Sequence, residues 1–278
     1  MGAVSDADAM RDYLQEHLGV PSSQIRNLRD SEATRAAIID GIVAFSLNSK
    51  IEDGDSILIY YAGYGSSADV PNGWEVGSTG KIELLVPYDH SSPLETLEDG
   101  NHKHGIPDRT LGALLSYLAS EKGDNIVRHT FILRGFIHQL TTWQTVILDC
   151  CHSGSGTPNL LDPSLKARAI NVGIVPSDLD QDIWGVFESS KDVNCKSVVH
   201  AGFAREGLRS HFLLAACRSQ EIAYERMGRG VFTEALLKTL VDIGIDKLTY
   251  TTLFNLRMPP LSSICFFFFS PNIVTFKF

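Results

Sequence analysis

Residues 145–156, Thr-Val-Ile-Leu-Asp-Cys-Cys-His-Ser-Gly-Ser-Gly, constrain this chain more than any other stretch. Val146, Ile147 and Leu148 form a short apolar run with no polar break, closed by a Ser/Gly loop. Such a run reads as a strand buried on both faces, which in turn requires helices packed above and below a parallel sheet. In open α/β sheets, ligands bind at the loops that follow the carboxyl ends of the strands. Cys151 stands at that end, where a thiol is exposed and held rigid as a nucleophile must be. Cys150, one residue inside the strand, reads as a buried small hydrophobe.

Composition narrows the classes. A 278-residue chain with 44% hydrophobic residues can bury a large core in one domain. A net charge of −9 opposes a nucleic-acid partner. Five Cys without paired spacing, and no leading signal peptide, suit a reducing cytoplasm. Adjacent Cys150, Cys151 and His152 lack zinc-ligand spacing, so no metal is expected. No stretch is long enough to span a membrane. Neither a phosphate-binding Gly-x-x-x-x-Gly-Lys loop nor a Gly-x-Ser-x-Gly elbow occurs.

Taken in order, the chain alternates helical and extended patterns. Ser5 reads as an N-cap with Asp8 three residues on, and Met10, Tyr13, Leu14 and Leu18 mark one helix face before Gly19. Ile25–Leu28 reads as a short strand. A second helix is expected from about Glu32, capped by Ser31, with Ala36, Ile39, Ile42 and Phe45 as its apolar face. Ser56–Tyr61 is a strand by length and branching, and it runs into Gly63-Tyr64-Gly65. Leu84–Val86 is a further strand, stopped by Pro87. Leu111, Leu114, Leu115 and Leu118 place a core stripe on a third helix. After a loop-rich region, residues 154–200, His211–Cys217 reads as a strand and Gly230–Val241 as a helix. Cys217 reads as core.

Asp-Cys-Cys-His-Ser-Gly after a hydrophobic strand resembles the nucleophile motif of the caspase and metacaspase superfamily, fungal caspase-like proteins in particular. The resemblance covers most of residues 2–258 in segments. It implies a doubly wound α/β sandwich of caspase-haemoglobinase type and a cysteine endopeptidase acting on protein or peptide substrates. It makes Cys151 the nucleophile, and Asp6 and Asp149 the acids of a pocket for Arg or Lys before the cut bond. From sequence alone, Asp6 is equally a favourable helix-end charge and Asp149 a strand-end cap. Arg168, Lys191 and Arg205 then become candidate self-processing sites. Backbone N–H groups at Gly63 and Cys151 are the expected oxyanion donors. Asp89 matches an acid near a calcium site in some metacaspases, although its own context reads as a turn, so calcium activation rests on the family alone.

Two departures from the family pattern matter. The catalytic His position is occupied by Tyr64, and tyrosine, as a residue type with a phenol that ordinarily titrates near about 10, is a poor proton shuttle at neutral pH. His152 neighbours Cys151, but adjacent residues on extended chain point apart, which disfavours it as a replacement base. The family's hydrophobic first strand has no counterpart before Ser5, and the expectation is a chain truncated at its start. The readings are therefore a weak or inactive peptidase and, from another class, a non-catalytic relative that binds peptides or partners. A damaged gene product that never folds is a third.

Residues 127–144 interrupt what would otherwise be a short helix-to-strand connection. A Val codon begins with GT and a Gln codon can end in AG, the boundary letters of an intron. The segment is read as an unspliced insertion, in preference to a true amphipathic one. Residues 259–278, with four consecutive Phe, fit no capped helix or bounded strand and read as an aberrant or disordered tail.

Overall fold

The computed structural model describes residues 2–53, 55–74, 80–91, 102–123, 144–151, 164–188, 212–217 and 222–245. In chain order the elements are α1 (Gly2–Glu16), α2 (Arg35–Leu47), β1 (Ile57–Ala62), β2 (Tyr64–Asp69), β3 (Lys81–Val86), β4 (Ile106–Pro107) and α3 (Asp108–Lys122). They continue with β5 (Gln144–Asp149), β6 (Leu165–Ala167), α4 (Gln181–Glu188), β7 (Phe212–Ala215), β8 (Tyr224–Arg226), β9 (Arg229–Gly230) and α5 (Val231–Ile243).

A parallel sheet of order β1-β5-β7 forms the middle layer. Side chains alternate across it with the period of two that a strand dictates. Leu58, Tyr60 and Ile147 face α1 and α5, packing with Met10, Tyr13, Phe232 and Leu236. Ile57, Val146 and Leu148 face α2 and α3, packing with Ile39, Ile42 and the leucine stripe of α3. Leu111, Leu114, Leu115 and Leu118 are at most 1% exposed, as their spacing predicts. Each such leucine contributes about 1.5–3 kcal/mol of burial. The result is the expected three-layer α/β sandwich of caspase type. Two small antiparallel sheets, β2-β3-β4 and β6-β8-β9, are attached to it.

Local readings shift in three places. The first helix already runs from Gly2, so Ser5 lies inside it and caps nothing; Gly19 does take the left-handed conformation, at φ +67°. The second helix is capped by Thr34, whose Oγ1 accepts from the Ala37 N–H, while Asp30–Glu32 forms a separate 3₁₀ turn. Ile25–Leu28 is not a strand. A strand requires a hydrogen-bonded neighbour, and among the described residues β1 pairs only with β5 on the central sheet. Of the suspect 127–144 segment only Gln144 is described, paired with Ile57 at the start of β5. The tail lies outside the described residues.

Candidate functional site

The site is built where β1 and β5 end together. Their register pairs Ala62 with Asp149, so the residues that follow each strand emerge side by side. The Gly63 N–H extends this ladder by donating to Asp149 O at 3.3 Å. Two residues on, a Cβ at Gly65 would stand 1.8 Å from Cys151 O. Only glycine permits that approach, and it brings the two loops into backbone contact.

A third segment lies over this junction. β6 pairs antiparallel with β8, aligning Leu165 with Arg226 and Ala167 with Tyr224. Arg168 continues the strand by donating its N–H to Ala223 O at 2.9 Å. The Arg168 carbonyl then accepts two N–H groups, from Gly65 at 3.0 Å and Cys151 at 3.2 Å. Ile170 N–H donates to Gly65 O at 3.2 Å, and Ser66 Oγ donates to Ile170 O at 2.5 Å. The chain is thus gripped on both sides of the Arg168–Ala169 peptide bond.

The Arg168 guanidinium enters a closed acidic pocket. Nη1 lies 3.0 Å from Asp149 Oδ2 and donates to Asp149 O at 3.1 Å. Nη2 donates to Asp6 Oδ2 and lies 3.8 Å from Glu225 Oε2. Arg168, Asp6 and Asp149 are all buried. Burial works against the guanidinium's charge, but Asp149 and Asp6 outweigh it and raise the pKa. Burial pushes the Asp149 carboxyl up, although Arg168 and Thr233 pull the other way.

β9 and the first turn of α5 together support both acids. Gly230 N–H donates to Asp6 Oδ2 at 2.8 Å, and Arg229 Nε donates to Asp6 Oδ1 at 3.0 Å. Thr233 donates its N–H and hydroxyl to Asp149 Oδ2, at 3.2 and 2.6 Å. Tyr60 Oη stands 2.6 Å from the same Thr233 hydroxyl. Carboxylates gathered at a helix N-terminus also gain from its partial positive charge.

Of the residues singled out in the sequence, the structure brings Asp6, Asp149 and Cys151 to one place, around Arg168. Cys151 is not exposed as a strand-end thiol was expected to be; its residue is fully buried, beneath the segment whose carbonyl it binds. Cys150 is buried against the α2/α3 layer, and burial raises its thiol pKa well above the usual range. The expected donor Gly63 is a correction. Its N–H is taken by Asp149 O, and the pair converging on one carbonyl is Gly65 with Cys151. Tyr64 stands between Gly63 and Gly65 as the first residue of β2, paired with Val86 and 36% exposed. Its carbonyl accepts from Tyr61 Oη at 2.8 Å. Asp89 accepts the Arg35 N–H at 2.7 Å and so serves the start of α2. Among the described residues no three His, Cys, Asp or Glu side chains are grouped to hold a metal ion. His152, Lys191 and Arg205 lie outside the described residues.

Gly65, Glu225, Gly230 and Thr233 were not singled out from sequence. Gly65 was signalled by the second glycine of Gly-Tyr-Gly. The other three reach the pocket by tertiary contact, which no local spacing reveals.

Similarity to known proteins bears on the family and the fold. Metacaspase-3 from Arabidopsis thaliana is 29% identical over 102 residues, which are 35% of this chain and 28% of that protein. A crystal structure of protein GSU0716 from Geobacter sulfurreducens superposes with a TM-score of 0.52 at 19% identity, covering 92% of this chain and 80% of that one. That likeness concerns the fold. The model of the caspase domain matches residues 1–258, and the chain belongs to that family, the C14 peptidases.

Proposed function

We propose that this chain recognises polypeptides through a basic residue, arginine or lysine, and that its own cysteine-peptidase chemistry is weak. The observation that carries the reading is Arg168. Its side chain is divided between Asp149 and Asp6, and its carbonyl accepts the N–H groups of Gly65 and Cys151. A peptide held in that way has its basic side chain in a complementary pocket and its carbonyl polarised beside the Cys151 backbone. Two N–H donors aimed at one oxygen are what a tetrahedral intermediate needs as its oxygen gains charge.

In the chemistry such a site performs, the Cys151 thiolate adds to the carbonyl carbon, and the amine leaves as it takes a proton. Water then releases the acid and regenerates the thiol. A neighbouring imidazole normally draws the proton from the thiol and delivers it to the amine. By the family resemblance Tyr64 stands at the imidazole's position in the motif, and a phenol does neither well at pH 7. The second reading, a peptide-binding relative without turnover, is favoured by this same residue.

Three thiol cysteines among the described residues, and no helix there long and apolar enough to cross a membrane, fit our further proposal of a cytoplasmic location. The net charge of −9 supports a protein rather than a nucleic-acid partner.

Hydrolysis of an Arg-ended fluorogenic peptide tests the reading. It is run on Arg168→Ala, whose pocket is vacated, and on the same variant carrying Tyr64→His, with and without Cys151→Ala. Tyr64→His should raise the rate by about 10²–10⁴, the typical worth of a general base or acid. Cys151→Ala should abolish it. Equal rates with and without the Tyr64→His change would show that another group supplies the base, and preference for an Asp-ended peptide would overturn the pocket.

A further inference from the structure

We propose that Gly230 sets the depth of the acidic pocket and thereby fits it to arginine. The inference rests on the reading of Asp6 and Asp149 as the pocket's acids and adds a specificity-determining residue to it.

Gly230 is the N-cap of α5, a place where Ser, Thr, Asp or Asn would ordinarily supply a side-chain cap. No such cap exists here. Its backbone, at φ −68° and ψ 125°, is open to any residue, so conformation does not explain the glycine. Space does. A Cβ built on Gly230 would lie 2.2 Å from Asp149 Oδ2, 2.7 Å from Asp6 Oδ2 and 2.7 Å from Arg168 Nη1. It would stand among both carboxylates and the guanidinium nitrogen that contacts Asp149. A single methyl there displaces either the acids or the cation. With hydrogen alone at Cα, the floor accepts a flat fork whose two nitrogens reach separate acids. Gly2 leaves matching room on the side of Nη2, where a Cβ would meet Glu225 Oε2 at 2.8 Å and Arg168 Nη2 at 3.1 Å.

The substrate class this implies is a peptide with arginine at the residue whose carbonyl is held, and with no side chain longer than arginine there. The resident Arg168 reports on the pocket directly, without any need for turnover. Trypsin cuts after arginine only when the chain is locally open, so the rate of appearance of the 1–168 fragment measures how well Arg168 is held. The full chain, Gly230→Ala and Gly41→Ala are compared by mass spectrometry, with melting curves to score folding. Gly41 is a control, since a Cβ there meets only Arg26 atoms at 3.8 Å.

The chain and Gly41→Ala should resist cutting at Arg168, and Gly230→Ala should be cut there at least about tenfold faster while still melting cooperatively. A folded Gly230→Ala that is as resistant as the parent overturns the inference. Fast cutting of the parent at Arg168 overturns the pocket reading itself. If Gly230→Ala gives no cooperative melt, the ligand is lengthened instead of the floor. The Arg168→Ala chain should bind labelled Leu-Lys-Ala-Arg amide at least about tenfold tighter than the same peptide ending in homoarginine. Equal binding overturns the role of Gly230, and binding of neither peptide removes the pocket on which it rests.

Discussion

Arg168 Nη1 and Asp149 Oδ2 lie 3.0 Å apart, with both side chains buried. The pair spans the site, because Asp149 ends the central strand β5 while Arg168 belongs to the segment laid over it. The residue that fills the acidic pocket is therefore also the one whose carbonyl takes the Cys151 N–H. In this structure the occupant is the chain itself.

Removing the cation should be costly. Arg168→Ala leaves Asp6 and Asp149 buried together at the start of α5. Breaking a buried ion pair by deleting one partner costs about 3–5 kcal/mol, because a charge is stranded. Burial already raises the Asp149 carboxyl pKa with Arg168 present. Without Arg168 it should rise further, so protonation at lower pH relieves the penalty. Urea melts of Arg168→Ala should show a larger loss at pH 8 than at pH 5. A loss under about 1 kcal/mol at both, well short of that stranded-charge cost, would mean that Arg168 does not hold the acids.

Self-cleavage is the second expectation. With an imidazole supplied by Tyr64→His, the peptide bond held beside Cys151 is Arg168–Ala169. Incubation should yield fragments ending at Arg168 and beginning at Ala169, and Arg168→Gln should suppress them. The reaction should be concentration-independent, since the segment belongs to the same chain. Cutting only at other basic residues would show that residues 165–170 are a strap and not a substrate.

The sandwich was legible because its signals are local. The apolar run at 146–148 and the Leu stripe of α3 fix burial by period alone, and the end of β5 places Asp149 and Cys151 without long-range knowledge. Asp6 could be assigned only through the family resemblance, since its partners Arg168, Arg229 and Gly230 come from distant parts of the chain. Ile25–Leu28 misled because β propensity marks a segment that fits a sheet, not one that has a neighbour. Gly63 is the donor expected from sequence because spacing does not tell that its N–H is already spent on the strand ladder. The burial of Cys151 was invisible for a similar reason, as the covering segment is held in place by β8, far along the chain.

The 127–144 segment supplies a third test. Deleting it joins Ile126 to Thr145 and keeps the β1–β5 pairing from Leu58–Thr145 onward. A short connection returns α3 to β5 in the manner usual for α/β units. The deletion should raise soluble yield and leave the melting midpoint unchanged or higher. A lower midpoint would identify the segment as part of the folded protein.

A fourth prediction concerns pH and lies away from the cleft. Asp108 opens α3, is buried, and accepts the Arg109 N–H at 2.7 Å. Burial, with the nearby charge of Glu83, pushes its carboxyl pKa up to about 7 from the ordinary 3.8. The folded chain therefore keeps a proton at pH 5–6 that the unfolded chain has released. The contribution of this group to stability then falls as pH rises through this window, because at Asp108 the folded state binds more protons than the unfolded one. At its steepest the slope from one such group is about 1.4 kcal/mol per pH unit. Asn mimics the neutral acid and can still accept the Arg109 N–H. Asp108→Asn should flatten the decline between pH 4 and pH 7 and make the protein more stable than its parent at pH 8. Denaturant melts across that range decide the matter. A parent and variant with parallel profiles would show that Asp108 is ionised in the folded chain at every pH in the series.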